Sequence, residues 1–96
     1  MAKSYTFHSD SGHGWLAVKR KELIEFGLIN KISHYSYEKG ETVYLEEDCD
    51  YSIFLAAYRN RYTCDPIIKY GKFHERSPIR SYKSFTPKND SFFNMK

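Results

Sequence analysis

The spacing of hydrophobic residues changes near residue 50, from the alternation of a strand to the repeat of a helix. Large apolar side chains then recur at i, i+3, i+4, i+7 and i+11, the spacing of one helical stripe: Tyr51, Phe54, Leu55, Tyr58 and Tyr62. The pattern predicts an amphipathic helix over residues 50–62. Asp48 or Asp50 is its expected N-cap, because a carboxylate accepts hydrogen bonds from the first free amides of a helix.

A β-hairpin is expected just before this helix. Its predicted turn is a three-residue loop over residues 38–40, in which Gly40 takes the positive φ. In that register Tyr35 lies opposite Val43. A two-residue loop over residues 39–40 would place two glutamates opposite each other, and directly opposed like charges are destabilising. The pattern therefore favours the longer loop.

Shorter patterns account for the rest of the chain. Alternating apolar residues predict three further strands, at residues 4–8, 15–18 and 67–74. A short helix is expected over residues 19–26, with Gly27 ending it. Prolines and scattered polar residues from position 77 onward indicate irregular structure.

These elements predict the fold class α+β, a small single domain with an antiparallel sheet of four to five strands and two helices. The domain is expected to span residues 1–85. Residues 86–96, which contain Phe92 and Phe93, are expected to form a C-terminal tail or a docking arm.

Charge is distributed unevenly along the 96 residues. Residues 1–50 hold six Lys/Arg against nine Asp/Glu, whereas residues 51–96 hold nine against three. The basic second half indicates contact with an anionic partner. Two cysteines do not make a disulfide framework, and no segment resembles a signal peptide or a membrane span. The sequence therefore predicts a reduced, cytoplasmic protein without a membrane partner.

A glycine-rich loop contains the first candidate site. His8, Asp10 and His13 could supply three metal ligands, and Glu46 or Glu47 could complete the set. The spacing matches no known zinc or iron motif, and polar residues in such loops usually satisfy backbone groups of a turn. The sequence therefore predicts no metal ion and no cofactor.

An acidic run at residues 46–50 is the next candidate. A pair of carboxylates can act in general acid–base catalysis, but these also fit as charges at the start of a helix. Cys49 is expected to be an ordinary thiol, because the flanking carboxylates offset the helix dipole. No Ser-His-Asp or Cys-His arrangement is visible. Catalysis is therefore the minority interpretation.

The C-terminal third interleaves cations and aromatic rings. Single-stranded nucleic acid is bound by that combination, since bases stack on rings and phosphates contact cations. The residues of this candidate interface are Lys69, Tyr70, Lys72, Phe73, Arg80 and Lys83. Alternatively, Arg80 could pair with the acidic run at residues 46–50, which would neutralise both within the fold.

Three segments have distinctive sequences: HSDSGHGWL at residues 8–16, YSYEKGETVYLEEDCD at residues 35–50, and SPIRSY at residues 77–82. Together they resemble a family of small uncharacterised proteins encoded by bacteriophages, prophages and related mobile elements. The resemblance implies a phage context rather than a chemistry. Small phage proteins of this kind often act on host machinery or on defence systems.

The resulting expectation is a phage-type accessory protein that binds a host protein or a small anionic ligand stoichiometrically, without turnover. A counter-defence role in the host cytoplasm is the context that the resemblance implies. The candidate binding residues come from the glycine-rich loop and the later basic segment: His8, Asp10, His13, Trp15, Arg76, Arg80 and Tyr82. A homodimer is compatible with the sequence. The alternatives are a module for single-stranded nucleic acid and a small metal-dependent hydrolase.

Overall fold

The structure, a computed structural model, describes residues 2–87. Its strands are, in chain order, β1 (Ser4–Ser9), β2 (Gly14–Lys19), β3 (Tyr37–Lys39), β4 (Thr42–Glu46), β5 (Ile67–Tyr70) and β6 (Lys83–Ser84). The helices are α1 (Arg20–Glu25) and α2 (Tyr51–Tyr62), and a 3-10 helix spans Pro78–Ser81. Most of the predicted tail or docking arm, with its two phenylalanines, lies outside the described residues.

The six strands form one open sheet in the order β5-β1-β2-β4-β3-β6. Neighbouring strands are antiparallel except β1 and β5, which run parallel. The predicted small α+β domain with two helices is confirmed. The sheet nevertheless has one strand more than predicted, because the two residues of β6 are too few to show an alternating pattern.

The hairpin of β3 and β4 differs from the predicted one. Lys39 pairs with Thr42, so Gly40 and Glu41 form a two-residue loop. Gly40 has the predicted positive φ, 60°, while the φ of Glu41 is negative. This combination is typical of a type II′ turn, whose twist matches that of the flanking strands. The predicted three-residue loop and its register are therefore wrong.

A buried carboxylate explains the change of register. Asp50 accepts hydrogen bonds from the hydroxyls of Ser33 and Ser36, and the Ser33 backbone N–H donates to it as well. These bonds hold residues 33–36 in a turn instead of a strand. Tyr35 consequently lies in that turn, and its side chain is exposed.

One face of the sheet carries the hydrophobic core, which lies beneath α2. The core side chains from the strands and this helix are Tyr5, Leu16, Val18, Val43, Leu45, Phe54 and Tyr58. The last two belong to the predicted helical stripe, and Tyr51 packs against the core. Tyr62, the last residue of the stripe, is exposed, so the predicted face is buried only in part. Asp50 takes the N-cap position but makes no side-chain capping bond. Among residues 2–87, no helix is long and apolar enough to cross a membrane.

The opposite face is crossed by residues 71–82, which connect one edge of the sheet to the other. Tyr82 packs on Tyr44 with ring centroids 5.3 Å apart. Arg80 lies over the ring of Trp15 at 5.7 Å. Side chains alternate along a strand, so Trp15 and Tyr44 point away from the core. The crossing segment thus builds a second, smaller layer in which the candidate site lies.

Candidate functional site

A pocket of about 280 Å³ opens on the face that residues 71–82 cross. We call it the Trp15 pocket, and its lining residues are His13, Trp15, Tyr35, Tyr37, Glu46, Asp48, Cys49 and Arg80. They come from three separate segments of the chain, at residues 8–16, 35–50 and 77–82. Segments far apart in the chain are therefore brought to one concave surface.

Strand pairing places the centre of the pocket. Trp15 in β2 lies opposite Glu46 in β4, and paired residues of antiparallel strands share a face of the sheet. Tyr37 in β3 is the neighbour of Tyr44 in the same register, and its ring contacts Trp15 at 6.3 Å. The two tyrosines and the tryptophan give this face an aromatic floor.

An ion pair between Asp10 and Arg80 closes one side of the pocket. Nε and Nη2 of Arg80 donate to the two carboxylate oxygens at 2.6 and 2.9 Å. The backbone N–H groups of Gly12, His13 and Ser77 also donate to the carboxylate. The Arg80 guanidinium and these amides hold the pKa of Asp10 well below its usual range. The side chain of Asp10 is fully buried, so it positions Arg80 and the loop instead of contacting a ligand.

Trp15 itself has an unusual feature. It is 1% exposed, and its indole Nε1 is buried without a hydrogen-bond partner, the single such side-chain atom in the part of the chain that the structure describes. Buried indole N–H groups normally find an acceptor.

The exposed side of the pocket carries three potential ligand groups, which we call the His13 cluster: His13, Glu46 and Asp48. Nδ1 of His13 lies 3.4 Å from Oε2 of Glu46. One ligand atom from each of the three side chains lies within 4.8 Å of the other two. This cluster combines an imidazole with two carboxylates beside the aromatic floor.

Cys49 lies next to the His13 cluster. A hydrogen bond to the Glu46 carboxylate and partial burial raise the pKa of the Cys49 thiol. The sequence predicted an ordinary thiol, whereas the Glu46 hydrogen bond and the neighbouring carboxylates raise its pKa. The thiol is therefore mainly protonated at neutral pH, which disfavours a nucleophilic role.

The three candidate metal ligands of the glycine-rich loop, His8, Asp10 and His13, are not brought together. Asp10 is buried in its ion pair with Arg80. The ring of His8 packs on Tyr44 at 5.9 Å, and burial and the nearby His74 lower its pKa. Of the three residues proposed from the loop, the structure leaves His13 next to other ligand groups.

The predicted binding set is partly assembled. His13, Trp15 and Arg80 line the Trp15 pocket, and Asp10 supports it from behind. His8, Arg76 and Tyr82 are not among the lining residues; Arg76 is exposed and Tyr82 packs between Tyr44 and the ammonium of Lys39.

The predicted nucleic-acid set is divided between two places. Lys69 and Tyr70 lie in β5 and Lys83 lies in β6, the opposite edge strands. Five strand spacings separate these edges, roughly 24 Å. Arg80 pairs with Asp10, so the alternative in which it pairs with the acidic run at residues 46–50 is wrong about the partner. Lys72 and Phe73 remain exposed beside β5.

The binding set predicted from the sequence lacked five lining residues, namely Tyr35, Tyr37, Glu46, Asp48 and Cys49. The last three belong to the acidic run at residues 46–50, which was a candidate for catalysis but not for binding. The two carboxylates were interpreted as charges at a helix start, yet the first turn of α2 contains no acidic residue. One signal in the sequence could have identified the two carboxylates. One predicted strand begins at the glycine-rich loop, and a later predicted strand ends in acidic residues. Pairing those two strands would have placed Glu46 beside Trp15.

Comparison with protein-family models, with curated proteins and with solved structures finds no match to this chain.

Proposed function

We propose that the protein is a phage-type accessory protein that binds a host protein stoichiometrically, without turnover. The host protein would place one side chain, carrying an oxygen acceptor, in the Trp15 pocket. The observation that carries this proposal is an open pocket lined by Trp15, a buried residue whose indole Nε1 has no hydrogen-bond partner. A buried donor without an acceptor is destabilising by about 1–3 kcal/mol, and a bound acceptor would recover that energy.

The charge of the pocket favours a protein side chain over a free small anion. Its volume, about 280 Å³, is near the lower end of the range for drug-sized ligands, about 300–1,000 Å³, and by itself admits either. As long as no cation is bound, the carboxylates of Glu46 and Asp48 repel a free small anion. When a protein partner supplies the side chain, contacts between the partner and the surface around the pocket provide the rest of the binding free energy.

The surrounding surface fits a protein partner. Tyr35 lies in the pocket wall and is 61% exposed. Tyrosine and tryptophan are enriched where proteins bind each other, because they combine a large apolar area with a polar tip. A counter-defence role in the host cytoplasm is the biological context of this proposal.

The nucleic-acid module is the second candidate, and it rests on the edge strand β5. Tyr70 is 77% exposed and Phe73 is 59% exposed, with Lys69 and Lys72 beside them. Two cations and two rings form a small platform, and the other predicted contacts lie elsewhere. The pocket is therefore the better supported site.

A capture experiment with two matched variants tests the first proposal. The full chain is immobilised and exposed to a bacterial host lysate, with and without nuclease. Tyr35→Ala removes an exposed ring of the pocket, and Tyr70→Ala removes a more exposed ring at the β5 edge. We expect one nuclease-resistant host protein on the wild type and on Tyr70→Ala, with capture strongly reduced on Tyr35→Ala.

Two results would contradict this expectation. Equal capture by Tyr35→Ala would remove the pocket from the proposal. Capture that disappears with nuclease and with Tyr70→Ala would transfer support to the nucleic-acid module.

A further inference from the structure

We propose that His13, Glu46 and Asp48 bind one divalent transition-metal ion, of the zinc type, at the exposed side of the Trp15 pocket. Metal binding by the chain alone does not depend on the proposed function. The role of that ion in receiving a partner group does rest on it.

Distance is the first support. Two ligands bound at 2.0–2.1 Å to a tetrahedral ion lie roughly 3.3 Å from each other. Nδ1 of His13 and Oε2 of Glu46 are 3.4 Å apart. All three potential ligand atoms lie within 4.8 Å of one another, so a small rotation of the exposed Asp48 side chain would complete the set.

The two closer ligands are held in place by the fold. Glu46 is fixed by strand pairing with Trp15, and its backbone N–H donates to the buried hydroxyl of Ser36 at 2.9 Å. The backbone of His13 is fixed by Asp10, whose carboxylate accepts its N–H and whose own N–H donates to its carbonyl. Binding would therefore order few additional groups, which lowers its entropic penalty.

Ligand type decides which ions fit. Imidazole suits zinc, copper, iron and nickel, whereas magnesium and calcium prefer oxygen ligands alone. One nitrogen and two carboxylates also leave one of four positions open, as in catalytic and exchangeable zinc sites. A dication would neutralise the two carboxylates, which lie beside a third acidic residue, Glu47.

The unpartnered indole N–H of Trp15 is a second, independent observation, and it belongs to a residue that lines the same pocket. An ion by itself gives Nε1 of Trp15 no acceptor. An oxygen ligand in the open position, whether water or an acidic side chain of the partner, is a hydrogen-bond acceptor. The metal and the indole thus point to the same class of group, and together they favour Asp or Glu as the side chain that enters.

Calorimetric titration of the metal-free full chain with ZnCl2 tests the site directly, with MgCl2 and CaCl2 as comparators. We expect one zinc ion per chain and no comparable binding of magnesium or calcium. His13→Asn and Asp48→Asn should each weaken zinc binding by at least roughly tenfold. His74→Asn and Asp65→Asn change exposed residues outside the cluster and should leave the affinity unchanged.

Cysteine is the competing ligand and needs its own variants. Cys49→Ser and Cys64→Ser should retain zinc, and the cobalt form should lack the near-ultraviolet band of a thiolate ligand. Absence of binding, unchanged affinity in His13→Asn, or loss of zinc in either cysteine variant would overturn the proposal. Circular dichroism of His13→Asn keeps the test decisive, since this exposed side chain is not part of the core.

A negative result for zinc binding can be distinguished from a negative result for the proposed binding of a host protein. If zinc does not bind but Tyr35→Ala still loses the captured host protein, the pocket remains a partner site without a metal. If zinc binds and no variant of the pocket affects capture, the metal site stands alone.

Discussion

Arg80 donates two hydrogen bonds to the carboxylate of Asp10, a residue 70 positions earlier in the chain. The pair joins the glycine-rich loop to the 3-10 helix at Pro78–Ser81. Arg80 also lies over the ring of Trp15. A single contact thus holds together two of the segments that form the Trp15 pocket.

Breaking this pair should destabilise the whole domain. Arg80→Ala leaves the buried Asp10 carboxylate without its cation, and Asp10→Asn leaves Arg80 without its anion. We expect each variant to lower the melting temperature by roughly 10 °C or more. Arg76→Ala, at a neighbouring exposed arginine, is the matched control and should change it little. A melting temperature of Arg80→Ala equal to that of the control would disprove the structural role of the pair.

The same pair predicts a loss of stability in acid. The folded-state pKa of Asp10 lies well below the ordinary value of 3.8. Because the unfolded chain binds the proton more readily, this carboxylate stabilises the fold above about pH 4 and does so progressively less as the pH falls below it. The free energy of unfolding of the wild type should therefore decrease towards that of Asp10→Asn between about pH 4 and pH 2. Urea titrations across that range measure both, and parallel curves would contradict the prediction.

Gly40→Ala should destabilise the protein by roughly 1 kcal/mol, the usual penalty for a left-handed non-glycine residue. Gly40 has a φ of 60°, and an added Cβ would meet nothing within 4 Å. The effect is therefore one of backbone conformation and not of crowding. Gly27→Ala shares both properties, with a φ of 74°, and should give a similar value in urea unfolding. Neutral results at both positions would exclude this explanation.

Ser36→Ala should be more destabilising than Ser33→Ala. The buried hydroxyl of Ser36 donates to Asp50 and accepts from the backbone N–H of Glu46. Its removal leaves both groups unsatisfied, which we expect to be destabilising by about 2–3 kcal/mol. In Ser33→Ala the backbone N–H of residue 33 still donates to Asp50, so about 1 kcal/mol is expected. Chemical denaturation of the two variants checks the order, and the reverse order would refute the network.

Binding of single-stranded DNA should be weak. Lys69 and Lys72 lie together near β5, so about two phosphate contacts are expected, with a log–log salt slope near −1.4. At moderate salt we expect a Kd weaker than about 1 µM, because the acidic first half repels the same polyanion. Fluorescence anisotropy at two salt concentrations measures both quantities. Tight binding with a much steeper slope would instead favour the nucleic-acid module.

Local patterns predicted the elements of this fold well. The stripe of α2 appears in consecutive turns, so Phe54 and Tyr58 were recognisable as core residues. The hairpin register was not recognisable. It depends on Asp50, which binds Ser33 and Ser36 and so removes residues 33–36 from the sheet. A contact across this distance leaves no periodic trace in the sequence.

The candidate site was predictable in part for the same reason. The glycine-rich loop marked His13 and Trp15, and the basic segment marked Arg80. The sequence around Arg80 does not indicate that its side chain forms an ion pair with Asp10. Glu46 ends β4 and Asp48 lies between that strand and α2, a position where acidic residues have an ordinary explanation. Their approach to His13 depends on the pairing of β2 with β4.

Trp15 is the one tryptophan in the chain, and it lies in the pocket wall beneath a guanidinium. The protein therefore contains its own optical reporter, whose fluorescence comes from the pocket and from no other indole. Entry of a carboxylate, a metal ion or a host side chain would alter the polarity and quenching around that ring. Occupancy can accordingly be followed on the unlabelled chain, in the same cuvette in which its unfolding is measured.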